Sequence, residues 1–224
     1  MITVIATPHA RYDCLEDALR RERLDFVRLR TPEELTPERL AALQPRYVFF
    51  PHWSWKIPPE IFQNHECVIF HMTDLPFGRG GSPLQNLIVR GFRETRLSAL
   101  RCVAEMDAGP VYLKEPLSLL GTAEEILMRA AQLMASMMLA IVRTNPMPVP
   151  QQGEPTILKR RRPEDGNIAG LEDLNRVYDF IRMLDAEGYP PAFMETEHLR
   201  FEFTRAALKP GEVRADVKIV RKTP

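Results

Sequence analysis

The chain is poor in cysteine: its three thiols, Cys14, Cys67 and Cys102, stand far apart among 224 residues. That argues against a disulfide framework and against the short Cys/His spacings of a structural zinc site, so no metal is expected. The thiols read as reduced side chains of a cytoplasmic protein. Neither sign of charge predominates, because 30 basic side chains face 30 acidic ones. Bulk electrostatics therefore give no reason to expect nucleic acid as a partner, although a neutral chain can still carry a local basic patch. No uninterrupted apolar run approaches the roughly 18 residues that span a bilayer, so no membrane is expected either. The opening MITVIATP reads as a strand leading into a polar loop rather than as a signal peptide. Internal repeats and low-complexity tracts are lacking as well.

What is present is a 45% hydrophobic content, enough for a full core built as one α/β domain with a small appendage. The runs ITVIAT, LDFVRL, RYVFF and CVIFH read as strands, with the helical composition of CLEDALRRER among them. That alternation argues for a largely parallel sheet. Thr36 reads as an N-cap with Pro37 at the first helical position. SPLQNLIVRG reads as a helix stopped by Gly91, and TRLSALRCVAE and VYLKEPL as strands framing a turn at Asp107. Thr122-x-x-Glu125 is a capping box opening the clearest helix. On that helix Met128, Met134, Met137 and Met138 read as core filler, with a homodimer contact as the alternative. The proline-rich TNPMPVPQQGEP reads as a linker. The expected domains are residues 1–146, a linker over 147–165, and a C-terminal segment over 166–224. In that segment LEDLNRVYDFIRMLDAEG reads as a helix ended by Gly188, followed by the strands LRFEFTRA and DVKIV.

The candidate chemistry centres on His71. It closes the apolar run Val68-Ile69-Phe70 and is followed at once by a Pro/Gly-rich loop. In an open α/β sheet ligands bind outside the carboxyl ends of strands, which places a histidine there for chemistry. Asp107 lies in the turn Asp-Ala-Gly-Pro; a carboxylate near a histidine can fix its tautomer, though Asp before Gly-Pro is also common turn chemistry. The glycines at 78, 80 and 81 either present backbone N–H groups to a phosphate or only permit tight turns. Arg79 between them is suited to bidentate pairing with a phosphate or carboxylate. The basic run Lys159 to Arg162 reads as a solvated charge run, since Glu164 and Asp165 follow it directly.

These residues carry a resemblance. From His71 the chain runs four residues to Pro76, then to Gly80 and Pro83-Leu84-Gln85, and on through Asp107-Ala108-Gly109. RRRPEDGNI and YDFIRMLDAEGYPPAF continue it, so that it covers roughly residues 45 to 205. On these motifs the chain resembles the folate-dependent formyltransferases, a family acting on methionyl-tRNA, glycinamide ribonucleotide or amino-sugar nucleotides. The later motifs look like the amino-sugar branch. The resemblance implies a Rossmann-like formyltransferase fold with a truncated C-terminal α+β appendage. It implies formyl transfer from 10-formyltetrahydrofolate to a primary amine, with His71 as the acid/base and Asp107 as its partner. It puts His52, Trp53, Trp55, Pro76 and Gly109 at the folate, where tryptophans suit a flat ring. It puts Arg79, Gly80, Gly81 and Asn86 at the acceptor.

One position departs from the pattern. The family reads Asn-x-His, and Ile69 stands where the asparagine amide would help to hold the formyl oxygen. Losing one such donor costs roughly a hundred- to a thousandfold in rate. His52 is the first candidate to replace it, and Asn86 the second. The short ends and neutral charge lead us to expect a small-molecule amine acceptor, an amino-sugar nucleotide, with no nucleic acid. The alternatives are methionyl-tRNA, a changed acyl donor, or a role limited to binding folate or nucleotide.

Overall fold

The computed structural model describes residues 2–222; Met1, Thr223 and Pro224, included in the expected first and last segments, lie outside the described residues. In chain order the elements are β1 (Thr3–Ala6), α1 (Asp13–Arg21), β2 (Phe26–Leu29), α2 (Pro37–Leu43), β3 (Tyr47–Phe50), α3 (Pro59–Phe62) and β4 (Cys67–His71). Then come β5 (Arg79–Gly80), α4 (Pro83–Val89), β6 (Glu94–Arg101), β7 (Val111–Ser118), α5 (Ala123–Thr144) and β8 (Ile157–Leu158). The last are α6 (Leu174–Arg182), β9 (Ala192–Glu195), β10 (Leu199–Lys209) and β11 (Glu212–Arg221). The chain divides into two compact units: Met1–Gly80 with Thr95–Leu117 and Leu127–Ile157, and Gly81–Glu94 with Ser118–Ile126 and Leu158–Pro224.

The first unit is built on a six-stranded sheet in the order β2-β1-β3-β4-β6-β7. The strands β2, β1, β3 and β4 run parallel, and β6 turns antiparallel to β4, with His71 opposite Ser98. All four residues of β1 and of β3 are buried, which explains why they read as continuous apolar runs rather than alternating ones. Val4, Leu29, Leu40, Val48, Phe50 and Ile61 form one core cluster, closed by Cys67 and Cys102. Thr36 caps α2, its Oγ1 accepting the Arg39 N–H at 3.2 Å, with Pro37 at the first turn as the sequence suggests.

The order in which successive strands are added reverses at β1, whose two parallel neighbours are β2 and β3, so the switch point of the sheet lies between β1 and β3. On α5, Met134, Met137 and Met138 are buried within the chain, which makes them core filler, while Met128 is exposed. Among the described residues α5 is the one helix long and apolar enough to cross a membrane by length and composition. Half of its most apolar stretch is buried in the protein, as in an ordinary core helix.

The second unit holds α4, α6 and a three-stranded antiparallel sheet in the order β11-β10-β9. Here α6 is shorter than the expected helix. It starts late because Asp173 Oδ1 accepts the Asn175 N–H at 2.7 Å as an N-cap. It stops well before Gly188, and the Asp185 carbonyl accepts the Glu124 N–H at 3.0 Å instead of an intrahelical one. Buried Arg182 closes that corner by donating to the carbonyls of Leu119 and Gly121 at 2.7 and 2.9 Å. The strands β10 and β11 are both longer than LRFEFTRA and DVKIV suggested. A register shift between Thr204 and Ala207 breaks the alternation that a sequence pattern follows, and the ladder resumes beyond it to a turn at Pro210-Gly211.

Phe49 is fully buried in the middle of β3. Phe49→Ala is expected to lower the unfolding free energy by about 3–5 kcal/mol, read by urea denaturation. A loss below about 1 kcal/mol would mean that this strand is not at the centre of the core.

Candidate active site

His71 ends β4 and is buried, its ring held from two sides. Nε2 lies 2.7 Å from the Gly78 carbonyl oxygen. A carbonyl only accepts, so Nε2 carries a proton and donates it there. Nδ1 lies 3.5 Å from Asp107 Oδ2, an ion pair when the ring holds both protons. The two side chains are 8% and 11% exposed, so this pair is screened from solvent.

The loop after β4 is fastened at several points. The Gly78 carbonyl also accepts the Thr73 hydroxyl at 3.3 Å, and the Gly78 N–H donates to Thr156 Oγ1 at 2.7 Å. The Thr73 carbonyl in turn accepts from Ser98 Oγ at 2.7 Å. Pro76 follows a cis peptide bond, and its carbonyl accepts the Thr156 N–H. The Gly80 N–H donates to Asp107 Oδ2 at 2.9 Å, so this amide fixes the carboxylate that faces His71.

Asp107 itself sits at φ +53°, a left-handed conformation that aspartate tolerates better than most residues. Two residues on, Gly109 is required by space: a Cβ there would lie 1.8 Å from the Arg101 carbonyl oxygen. Gln151, which the sequence reading passed over, holds this turn from outside. Its amide nitrogen donates to the carbonyls of Asp107 and Gly109, both at 2.8 Å, while its Oε1 accepts from Arg79 at 2.9 and 3.1 Å. Arg79 is further paired with Glu105 at 3.1 Å. A glutamine in a proline-rich stretch carries no signal of such a role; only the fold brings it 44 residues back to Asp107.

The other candidates fall into separate places. His52 accepts or donates at 3.1 Å with the Tyr12 hydroxyl, and its ring lies 5.0 Å from that of His9. It therefore belongs to a cluster joining the ends of β1 and β3, and takes φ +52° there. Burial first, then the nearby His9 and Arg11, push its pKa down from 6.5 to about 4. Trp53 packs edge-on against Phe50 and Trp55, with ring centroids 5.9 and 4.8 Å apart. Trp53 and Ile69 both pack against the core cluster, and among the described residues the buried Trp53 Nε1 has no hydrogen-bond partner. Trp55 is 44% exposed.

Gly81 and Asn86 lie in the second unit. The Asn86 amide donates to the carbonyls of Gly81 and Lys159 at 3.0 and 2.8 Å, and a Cβ on Gly81 would meet Arg160 at 2.6 Å. Beside Gln151, a cavity of about 360 Å³ is lined by Leu75, Val111, Tyr112, Lys114 and Val149. The Cys102 thiol, near Asp107, is pushed up to about 11, chiefly by burial and then by that carboxylate, so it stays protonated. Among the described residues no group of three or more His, Cys, Asp or Glu is arranged to hold a metal ion.

The geometry meets its counterparts in known proteins. A family model for the C-terminal domain of methionyl-tRNA formyltransferase matches residues 163–220. A solved methionyl-tRNA formyltransferase from Clostridium thermocellum is 44% identical and superposes with a TM-score of 0.96, over 99% of this chain and 100% of its own. The methionyl-tRNA formyltransferase of Clavibacter michiganensis is 31% identical over 156 residues, 64% of this chain and 50% of that protein. HypX from Aquifex aeolicus, solved in complex with tetrahydrofolic acid, has the same fold at 19% identity and a TM-score of 0.77, over 94% of this chain and 39% of its own. The chain belongs to the folate-dependent formyltransferase family and has the formyltransferase fold. It spans about half the length of the curated relatives it matches.

These relatives correct the expected acceptor. An amino-sugar nucleotide, a small-molecule partner and the exclusion of nucleic acid are all overturned, because the sequence likeness runs to methionyl-tRNA formyltransferases, including their C-terminal domain. The expectation failed on charge and length. A net charge of zero sums the whole chain, whereas an acceptor is held by a local surface. The segment after residue 163, although short, is folded and is the part matched by the C-terminal domain of that enzyme.

Two outcomes follow from the geometry. Gly109→Ala is expected to displace the Asp107 turn, lowering both stability and any activity, whereas Gly170→Ala, with open space around it, serves as the neutral control. The second outcome concerns pH. His52 has a folded-state pKa below its unfolded value of about 6.5, so its contribution to stability is complete above that pH and is lost as pH falls toward 4. His52→Asn, which accepts φ +52°, is expected to flatten the stability–pH curve between about 6.5 and 4. An unchanged slope in denaturation measured across that range would show that another group titrates there.

Proposed function

We propose that this chain transfers the formyl group of 10-formyltetrahydrofolate to the α-amino group of methionyl-tRNA. The observation that carries the reading is the buried His71 ring held between the Gly78 carbonyl and the Asp107 carboxylate, in a chain 44% identical over its length to a methionyl-tRNA formyltransferase. The protein bound to tetrahydrofolic acid in the same fold supports the donor. Support also comes from Trp53, whose buried Nε1 is a donor available to a ligand. The folate supplies an activated formyl carbon.

The residues divide the remaining work. The His71 Nε2–H, held at the Gly78 carbonyl, becomes a donor to substrate oxygen when that carbonyl is exchanged for it. Asp107, itself fixed by the Gly80 amide, keeps the ring oriented through Nδ1. Ile69 offers no amide, so His71 carries a larger share of the charge stabilisation than in chains with Asn-x-His. Trp53, Trp55 and Pro76 are assigned to the folate side. Arg79 is assigned to a phosphate of the acceptor, which would compete for it with the exposed Glu105. Residues 1–146 form the catalytic part and 166–224 the part that meets tRNA. Such an acceptor places the reaction in the cytoplasm. Holding donor and acceptor together supplies much of the acceleration.

The test is release of tetrahydrofolate from 10-formyltetrahydrofolate with methionyl-tRNA, and with uncharged tRNA as control. Release that depends on the aminoacyl group, and drops about a hundredfold or more in His71→Ala, is expected. Absence of release while the folate still binds would overturn the reading. Asp107→Asn, keeping shape and removing charge, is expected to lower kcat more than it changes KM for either substrate.

A further inference from the structure

Both ends of Asp107 are held from the same place. Its carboxylate accepts the Gly80 N–H at 2.9 Å, and its carbonyl is reached from the preceding residue, Arg79, through Gln151. The Arg79 guanidinium sets Nε and Nη2 on Gln151 Oε1 at 3.1 and 2.9 Å. Gln151 Nε2 in turn donates to the carbonyls of Asp107 and Gly109, both at 2.8 Å. Every polar position of that amide is in use, two donors at one end and two acceptor sites at the other.

Local structure puts the glutamine there. Pro146, Pro148 and Pro150 keep the stretch before it extended. Within that stretch Val149 and Val111 exchange both backbone hydrogen bonds at 2.8 Å, as an antiparallel bridge. Two steps past Val149 are level with two steps before Val111, so Gln151 stands beside Gly109. Farther on, the Thr156 carbonyl accepts the Arg79 N–H at 2.9 Å, which keeps the same stretch against Arg79. The turn at Asp107 depends on such a hold. Asp107 has φ +53°, and inside the turn the Ala108 N–H meets the Glu105 carbonyl only at 3.3 Å.

The amide cannot be turned round, because Oε1 would then oppose two carbonyls and the amide nitrogen would oppose a guanidinium. A glutamate here would take Arg79 and repel the carbonyls, and a lysine would do the reverse. The Arg79 side chain is 12% exposed, so its charge polarises the amide and strengthens the bonds that Nε2 donates. Glu105 is 76% exposed and engages Nη1 at 3.1 Å, away from the two nitrogens on Gln151. An incoming anion can therefore replace Glu105 while the bonds to Gln151 persist.

We propose that Gln151 is a positioning residue that carries the placement of Arg79 to Asp107, so that an anion taken up at Arg79 sets the carboxylate against His71. Asp107 Oδ2 lies 3.5 Å from His71 Nδ1, at the outer limit of a hydrogen bond, so a small movement of the turn closes or opens the contact. A nucleotide phosphate at Arg79 fixes the guanidinium, and the amide passes that restraint to the turn. The inference rests on the assignment of Arg79 to a phosphate of the acceptor. Its consequence is that the ring is aligned for proton transfer when the acceptor is seated and less so before.

The test reads His71 directly, by nuclear magnetic resonance of the full chain with isotope-labelled histidine, the ring signals being assigned with His71→Ala. Adenosine monophosphate is the probe. In the native chain it is expected to bind and to shift the His71 Nδ1 signal saturably. Gln151→Met, of similar length but without the amide, is expected to bind the nucleotide and to lose the shift. Should that variant not fold, Arg79→Lys breaks the relay from the other end, since a lysine keeps the charge but lacks the planar fork that spans Gln151 Oε1. It too is expected to bind without the shift. Binding without a shift in the native chain, a full shift in either variant, or loss of binding in Gln151→Met would each overturn the proposal, as would a native chain that does not bind the probe. In formyl transfer, Gln151→Met is expected to lower kcat roughly ten- to a hundredfold with KM little changed. A native chain that shows the shift but releases no tetrahydrofolate with methionyl-tRNA would sink the proposed reaction and leave the relay standing.

Discussion

The site depends on the Asp107 carboxylate being held from behind. The Gly80 amide donates to it, His71 faces it, and the Asp107 carbonyl is itself taken by Gln151. Removing the Gly80 amide or the His71 ring would leave a carboxylate only 11% exposed with one partner fewer, which costs more than a lost surface contact. Three chain segments, the loop after β4, the turn before β7 and the stretch around Gln151 to Thr156, are thereby joined in one hydrogen-bonded network. The ring of His71 has little freedom within it, because Gly78, the acceptor of its Nε2–H, is also anchored by Thr73 and Thr156. A network of this kind preorganises a proton-bearing nitrogen.

Ile69, which stands where the family pattern has asparagine, is accommodated by packing. Ile69 joins the apolar cluster that also holds Trp53, Phe50, Cys67 and Cys102. His52, the first candidate for the missing hydrogen bond, is instead engaged by Tyr12 and its neighbour His9. Its lowered pKa follows from that burial and keeps it neutral at physiological pH. Among the described residues the buried Trp53 indole nitrogen has no hydrogen-bond partner.

The two compact units show different ways of managing a sheet. In the first, β1 and β3 are covered on both faces and no residue in them is polar enough to mislead a reader of the sequence. In the second, a three-stranded sheet leaves Met194, Val217 and Ile219 partly open to solvent beside an edge of alternating charge.

The sequence by itself determined the strands that read as unbroken apolar runs, the caps at Thr36 and Thr122, the His71 and Asp107 pair and the family to which they belong. The runs and caps are local signals, carried by residues within a few positions of one another, while His71 and Asp107 each sit in a short motif of their own and were joined by the resemblance. The fold class was legible for the same reason, since alternation of strand and helix needs no distant contact. What only the tertiary structure decided is what distance in sequence conceals. Gln151 reaches Asp107, Arg182 closes on Leu119 and Gly121, and Asp185 gives its carbonyl to Glu124, shortening the helix that pattern alone had extended. The shift between Thr204 and Ala207 hid the length of the last hairpin, because an extra residue breaks the period of two. The expected small-molecule acceptor failed because total charge and segment length average over a surface, while recognition depends on where individual side chains stand after folding.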